Sequence, residues 1–183
     1  MNKIAPMFPV SHISTDWESN LLLLGDLTGK QAEAKKAIQS YKDDAKAVKE
    51  KMAPVLKDKK VLIIRLRAGA INIYPADVFF NPSVYADLGA VPPVELKEAK
   101  AQQVISMEKL SEINPDYLFV QFSEEENKDQ PKALEELQKN PIWNSLNASK
   151  NKKVFINAVD PIAQGGTAYS KIIFLEAFKN LVN

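Results

Sequence analysis

The stretch Lys59-Lys60-Val61-Leu62-Ile63-Ile64-Arg65-Leu66-Arg67-Ala68-Gly69 decides how this chain folds. Its apolar run, residues 61–64, is typical of a strand that is buried on both faces. Arg65 and Arg67 lie two residues apart, so both side chains point to the same face of an extended chain. Open α/β sheets place their ligand crevices at the carboxyl ends of strands, where two positive charges would attract an anion. Alternatively, the arginines snorkel at the strand end or pair with carboxylates that close the sheet edge.

The composition of the chain excludes several kinds of site. A length of 183 residues suggests one domain with a sizeable core, or one domain and a small extra segment. A net charge of +1 provides no overall field for nucleic acid or a membrane surface. The absence of cysteine excludes disulfides, thiol catalysis and cysteine-based metal sites. His12 is the only histidine, so a multi-histidine metal site is impossible. We therefore expect neither a nucleic-acid partner nor a metal bound by the protein itself.

A long charged helix is predicted just before the quoted strand. Apolar residues recur there at steps of three and four, while the other faces are almost all charged or amidic. Pro54 is expected to end the helix after about 25 residues, or about 38 Å. Solvated helices of this length with a narrow apolar stripe often bridge two lobes. The stripe consists of Ala34, Ile38, Tyr41, Ala45, Val48 and Met52.

The rest of the chain alternates strand and helix patterns. Further extended segments are predicted at 71–74, 103–105, 117–122 and 153–156, with helical segments between most of them. This alternation predicts a three-layer α/β/α sandwich with a mostly parallel central sheet. The segment 123–132 is predicted to be a solvated loop. The C-terminal helix is expected to turn these side chains inward: Tyr169, Ile172, Ile173, Leu175, Ala177, Phe178 and Leu181.

Other residues that could carry chemistry give weaker signals. Tyr74 could line a pocket beside the arginines, whereas Phe79 or Phe80 is expected in the core. The pair Gly165-Gly166 resembles a phosphate-binding turn but lacks the Walker lysine pattern, so a tight turn is favoured. Glu108 in the first turn of a helix complements the helix dipole. No Ser-His-Asp set or acid pair is evident, and no catalytic residue is assigned.

With these residues in place, the chain resembles the C-terminal part of siderophore-binding lipoproteins, the substrate-binding components of bacterial iron-chelate ABC importers. The opening Lys3-Ile4-Ala5-Pro6 resembles the end of that family's N-terminal lobe. Leu24-Gly25-Asp26-Leu27-Thr28-Gly29-Lys30 resembles the lead-in to its lobe-bridging helix. Ser106-Met107-Glu108-Lys109-Leu110, followed by Asn114-Pro115-Asp116, resembles a recurrent family pattern. The order and spacing of these motifs carry the resemblance over almost the whole chain.

The resemblance implies two α/β lobes joined by one long helix, with the ligand held between them. Residues 1–27 would then be the end of the N-terminal lobe and a lead-in helix, 28–57 the linker helix, and 58–183 the C-terminal lobe. Residues 1–9 lack the long apolar core of a signal peptide, which taken literally predicts a cytoplasmic protein. The resemblance instead implies a fragment whose N-terminal lobe, signal and lipid-anchor cysteine belong to a longer parent, a lipoprotein anchored outside the cytoplasmic membrane.

The resemblance also implies roles for individual residues. Arg65 and Arg67 would contact an anionic ferric chelate, with Tyr74 and Gln121 or Phe122 as weaker pocket candidates. The siderophore fills the coordination sphere of the iron, so no protein metal ligand and no cofactor is expected. Glu108 would dock on arginines of the ABC permease.

The class of siderophore stays open, because the segment 157–162 lacks the tryptophan that is common near the family's C-terminal ligand loop. Two other interpretations also stay open. One is a small cytosolic α/β enzyme or regulator that uses Gly165-Gly166 or Asp160. The other is a lobe of a cobalamin- or haem-binding relative, which the arginine pair argues mildly against.

Overall fold

The fold was determined from a computed structural model that describes residues 7–8, 10–11 and 14–182. The motif at residues 3–6, His12 and most of residues 1–9 therefore lie outside the described part. The described residues form eight α-helices, five strands, two 3-10 turns and one π-helical turn. No helix in the described ranges combines the length and apolarity needed to cross a membrane.

The helices and strands follow one another in a partly alternating order. The helices are α1 (Trp17–Thr28), α2 (Gln31–Leu56), α3 (Val94–Glu98), α4 (Met107–Ile113), α5 (Ala133–Lys139), α6 (Pro141–Ser145), α7 (Asn147–Lys150) and α8 (Ala168–Leu181). The strands are β1 (Val61–Arg67), β2 (Ala70–Ile73), β3 (Gln103–Ile105), β4 (Tyr117–Phe122) and β5 (Val154–Ile156). The 3-10 turns are Ser14–Asp16 and Glu124–Asn127, and the π-helical turn is Ser83–Asp87.

The five strands form one sheet in the order β3-β2-β1-β4-β5. Strand β1 pairs in parallel with β4, and β4 pairs in parallel with β5. Strand β2 runs antiparallel to both β1 and β3, so four of the five strands share one direction. This confirms the predicted mostly parallel sheet, with the apolar run of β1 at its centre.

Helices cover both faces of the sheet, which confirms the three-layer sandwich. On one face, the Phe119 ring of β4 packs against Phe174 and Phe178 of α8. Helices α1 and α2 and the π-helical turn join α8 on that side. On the other face, α4 to α7 pack against one another and close over the apolar side chains there, such as Leu66. The sheet is thus buried on both faces, as its near-continuous apolar strands require.

Helix α2 buries the predicted stripe, but it ends later than the sequence suggested. All six predicted stripe residues are buried. The helix continues past Pro54 to Leu56, which is also buried and extends the stripe by one further turn. Proline removes one backbone donor, and near the end of the helix the burial of Leu56 compensates for that loss.

Two further expectations about local structure were wrong. Tyr169, Ile172 and Leu181 of α8 are exposed, and the buried side chains of the helix instead include Lys171. The segment 123–132 is not simply a solvated loop, because its first part forms the 3-10 turn Glu124–Asn127, in which Asn127 is 1% exposed. In both places a polar side chain is buried because distant segments supply its hydrogen bonds, which local patterns do not show.

Candidate functional site

The candidate site lies at the edge of the sheet where β1, β4 and β5 end. Arg65 is in register with Gln121, and Leu66 with Phe122, so β1 and β4 reach this edge together. Parallel strands of this kind leave a crevice at their carboxyl ends. The segments that follow the strands meet around Arg65 there.

Arg65 is buried, and each of its guanidinium nitrogens has a partner. Nε and Nη2 donate to the two carboxylate oxygens of Glu126 at 2.7 and 2.9 Å. Nη1 donates to Oε1 of Gln164 at 3.1 Å. The guanidinium carbon lies 5.5 Å from the centre of the Phe79 ring, and the Arg65 side chain is 5% exposed. This is a bidentate, charge-assisted pair of the strong kind.

Glu126 is held in place by the backbone around it. It lies in the 3-10 turn, and its carbonyl oxygen accepts a hydrogen bond from the Ala68 amide at 2.9 Å. The buried amide of Asn127 donates to the carbonyls of Leu66 and Ser123 at 3.0 and 2.7 Å. Its Oδ1 accepts from the Gly69 amide at 2.9 Å. These bonds fix the turn to the β1–β2 hairpin.

Arg67 differs from Arg65 in its exposure. Its side chain is 54% exposed, and its Nε lies 3.7 Å from Oε1 of Glu126. Two guanidinium charges and one carboxylate leave the trio with a formal charge of +1. Arg67 is thus the arginine of the pair that presents donors to solvent.

Tyr74 and Phe79 form an aromatic floor beside the arginines. Their rings stack with centroids 4.8 Å apart, and both residues are buried. The Tyr74 hydroxyl lies 3.4 Å from Oε1 of Gln102. Burial raises the pKa of Tyr74, although the Arg65 charge opposes the shift, so the hydroxyl stays protonated. Phe79 has φ +61°, a rare conformation for a bulky residue that clusters at functional sites.

Gln121 and Phe122 reach the same edge but hold the segment 157–167. The buried Gln121 amide donates to the carbonyls of Asp160 and Ala163 at 2.8 and 3.4 Å. The backbone of Phe122 exchanges two hydrogen bonds with the side chain of Asn157, at 2.9 and 3.0 Å. The segment held in this way carries Gln164 to Arg65.

Glu108 lies apart from the arginines, in the first turn of α4. The helix follows β3, which runs in the same direction as β1, so Glu108 is near the same edge of the sheet. Ser106 caps α4 by accepting from the Lys109 amide at 3.2 Å. Hydrogen bonds from its own backbone amide and from Ser106 hold the pKa of the exposed Glu108 carboxyl below its ordinary value. Glu108 therefore stays ionised to a lower pH than an ordinary glutamate.

Gly165 and Asp160, on which the enzyme interpretation rested, both take part in turns. Gly165 packs against the Phe79 backbone, and α8 begins three residues later at Ala168, with Thr167 as its cap. Asp160 accepts a hydrogen bond from the Ile162 amide two residues on, as turn aspartates do. Across the residues that the structure describes, no three His, Cys, Asp or Glu side chains converge as a metal site would require.

Comparison with known proteins identifies the family. The family model described as "Periplasmic binding protein" matches residues 2–158. The chain belongs to the periplasmic binding protein family. Membership of this family implies an extracytoplasmic location, and it confirms the resemblance found from the motifs.

Three relatives of this periplasmic binding protein are informative. The iron-uptake system-binding protein of Bacillus subtilis is 56% identical over 169 residues, which are 92% of this chain and 53% of the relative. The crystal structure of the triscatecholate siderophore-binding protein FeuA from B. subtilis, complexed with ferri-bacillibactin, superposes with a TM-score of 0.93 at 53% identity. That match covers 99% of this chain and 64% of FeuA.

The third relative is Staphylococcus aureus SirA complexed with staphyloferrin B, with a TM-score of 0.79 at 25% identity. The match covers all of this chain and 65% of SirA. The chain spans about half the length of the curated relatives it matches.

The structure of this periplasmic binding protein adds partners that the sequence analysis missed. Glu126 and Gln164 contact Arg65 from 61 and 99 residues further along the chain. One signal was available for Glu126. It is the last of three consecutive glutamates that begin two residues after the end of β4, the strand that pairs in parallel with β1. Gln164 has no comparable signal, because it lies in an irregular segment.

Proposed function

We propose that this chain forms one wall of the site that binds an anionic ferric siderophore in the substrate-binding component of a bacterial iron-chelate ABC importer. The observation that carries the proposal is the half-exposed guanidinium of Arg67 at the carboxyl edge of the sheet. It is supported by the 56% identity to a protein of iron uptake. In the whole protein we place this edge in a cleft between two lobes, with α2 as the helix that joins them.

The charge of the site favours a highly anionic chelate. A ferric tris-catecholate carries three negative charges, and its oxygens accept hydrogen bonds from a guanidinium fork. A ferric tris-hydroxamate is neutral and would gain little from Arg67. We therefore propose a tris-catecholate as the ligand class, which is the class of siderophore that FeuA binds. The protein needs no iron ligand of its own, since the siderophore supplies all six donor atoms.

The other candidate residues have distinct roles in this proposal. Arg67 contacts the chelate, and Tyr74 lines the wall beneath it. Gln121 and Phe122 hold the segment that completes the wall. Glu108 docks on arginines of the permease, and we propose that the whole protein is a lipoprotein anchored outside the cytoplasmic membrane.

The proposal is tested by replacing Arg67. Titration of the chain with ferri-bacillibactin in equilibrium dialysis with radioactive iron should show saturable binding. Arg67→Ala should weaken it by about 10- to 100-fold, because a hydrogen bond to a charged group contributes about 1.5–3 kcal/mol. The control is Lys46→Ala, which removes the same charge from an exposed position on α2.

A neutral ferric tris-hydroxamate is the control for ligand charge and should bind more weakly than ferri-bacillibactin. The proposed function is wrong if no saturable binding of ferri-bacillibactin is found up to about 1 mM. The assignment of Arg67 is wrong if Arg67→Ala and Lys46→Ala bind the chelate equally well.

A further inference from the structure

We propose that Glu126 is an internal counter-anion, which occupies the donors of Arg65 and so determines which anions the site accepts. This inference rests on the proposed function, because it concerns the same edge of the sheet. Glu126 is then a specificity-determining residue that acts through its contacts with the two arginines.

Three of the five guanidinium N–H groups of Arg65 already have partners within the protein. Glu126 takes Nε and Nη2, and Gln164 takes Nη1, while Phe79 lies against the guanidinium plane. The side chain is also 5% exposed. One N–H group remains on each of Nη1 and Nη2, but the side chain is enclosed. An incoming anion can therefore form a bidentate pair with Nε and Nη2 only if it displaces the carboxylate of Glu126.

Glu126 is positioned by the protein rather than by a ligand. The Ala68 amide holds its carbonyl, and Asn127, the next residue, is bound to the β1–β2 hairpin through both ends of its side-chain amide. The Glu126 side chain is 20% exposed, so it lies at the boundary between Arg65 and solvent. The preorganised carboxylate of Glu126 therefore competes with an anionic ligand for the N–H groups of Arg65.

The position of Glu126 also affects the selectivity of the site for anions. Because Glu126 also lies 3.7 Å from the Nε of Arg67, it lowers the attraction that both arginines exert on an anion. A small inorganic anion then gains too little from Arg67 alone to bind. A multiply charged chelate with many acceptor oxygens still gains enough. Discrimination of this kind comes from a repulsive element placed within the site.

The same geometry allows a different role, which predicts the opposite result. If Glu126 only orients the arginines for the ligand, its loss lets both side chains move and weakens chelate binding. If it is a counter-anion, its loss frees donors and strengthens anion binding. The direction of the change therefore decides between the two roles.

The experiment compares Glu126→Gln with Glu125→Gln. Both variants remove one negative charge from the same turn, but Glu125 is exposed, and both arginines form their ion pairs with Glu126. Two probes are used on the whole chain: sulfate, read as a shift in melting temperature against chloride at equal ionic strength, and ferri-bacillibactin, read by equilibrium dialysis. Circular dichroism checks that each variant is folded.

We expect sulfate to raise the melting temperature of Glu126→Gln by more than that of the original chain and Glu125→Gln, which should show only the general stabilising effect of sulfate. We also expect Glu126→Gln to bind ferri-bacillibactin about 10-fold more tightly, and Glu125→Gln to stay within about 3-fold of the original. A sulfate response of Glu126→Gln no larger than that of Glu125→Gln overturns the inference, as does weaker chelate binding by Glu126→Gln.

A second variant covers the case in which Glu126→Gln does not fold. Glu126→Asp keeps the charge but is shorter by one methylene, so it cannot hold both nitrogens of Arg65 in the same geometry. It should change both readouts in the same direction by a smaller amount, and a change in the other direction overturns the inference. The sulfate probe does not depend on the siderophore. A positive sulfate result without any chelate binding would thus uphold the counter-anion and refute the proposed function.

Discussion

Lys171 is a charged side chain inside the core of the molecule. It is 2% exposed, and its Nζ lies 2.8 Å from Oδ2 of Asp87 and 3.2 Å from the Ser83 hydroxyl. The Nζ also faces the rings of Trp17 and Tyr41, at 5.7 and 5.4 Å from their centroids. One buried ammonium group thus connects α8 with the π-helical turn, α1 and α2.

Tyr41 completes this network from the stripe of α2. Its hydroxyl donates to the same oxygen of Asp87 at 2.6 Å. Burial, with the charge of Asp87 as a second cause, raises the pKa of Tyr41 well above its ordinary value, so the tyrosine remains a donor. Asp87 is therefore the shared acceptor of two groups from different helices.

Replacing either partner of the buried ion pair should lower the free energy of unfolding, but by different amounts. Asp87→Asn leaves the Lys171 ammonium buried without a counter-ion and should lower the free energy of unfolding by about 3 kcal/mol. Lys171→Met should cost less, about 1 kcal/mol, because Asp87 is 27% exposed and water can solvate it. Urea unfolding of the two variants measures the difference. An equal or larger loss for Lys171→Met would contradict this account.

At the scale of elements, α4 brings a charged residue to the surface in a defined position. The helix begins at Met107 directly after Ser106, whose side chain caps it. Its buried residues, Leu110 and Ile113, set the rotation of the helix about its axis. Glu108 is therefore exposed near the edge of the sheet, where a permease could reach it.

Replacing Glu108 should separate transport from binding. We expect Glu108→Gln in the whole protein to reduce uptake of radioactive iron from ferri-bacillibactin by cells by roughly 10-fold, because the proposed charge-assisted contact with the permease would be lost. Chelate affinity should stay unchanged. Because the pKa of Glu108 lies below its ordinary value, the uptake defect should persist in mildly acidic medium.

The control for this transport experiment is Glu176→Gln, which removes an exposed carboxylate from α8 on the opposite face of the sheet. Its uptake should match that of the original protein. A loss of chelate affinity in Glu108→Gln would show that the residue belongs to the binding site and not to the docking surface.

At the scale of the whole molecule, the site depends on the contact between two distant segments. Gly165 has φ +73°, and a Cβ built on it would lie 2.4 Å from the carbonyl oxygen of Phe79. The segment that carries Gln164 can therefore approach the aromatic floor only because residue 165 has no side chain.

Two glycine variants separate backbone conformation from this close approach. Gly29 has φ +71° but no atom within 4 Å of a built Cβ, so Gly29→Ala should cost about 1–2 kcal/mol from the left-handed conformation alone. Gly165→Ala adds a backbone clash and should cost roughly 3 kcal/mol or more. Urea unfolding measures both. Similar losses for the two variants would mean that the contact with Phe79 adjusts at little cost.

The fold and part of the site could be predicted from local patterns. The apolar run of β1, the stripe of α2 and the alternation of strands with helices were enough for the three-layer sandwich. The same patterns placed Arg65 and Arg67 at one strand end and on one face. The interior of α8 was mispredicted, because the burial of Lys171 depends on Asp87, which lies 84 residues earlier.

The sequence by itself determined the central strand, the long amphipathic helix, the mostly parallel sheet and the common face of the two arginines. These features follow from side-chain spacing within an element, which fixes the direction of each Cβ and the face that must be buried. Only the tertiary structure decided that Arg65 is enclosed while Arg67 faces solvent. The reason is that the exposure and the partners of an arginine depend on segments that meet it at the sheet edge. Glu126 and Gln164 come from 61 and 99 residues away, beyond the reach of any local pattern.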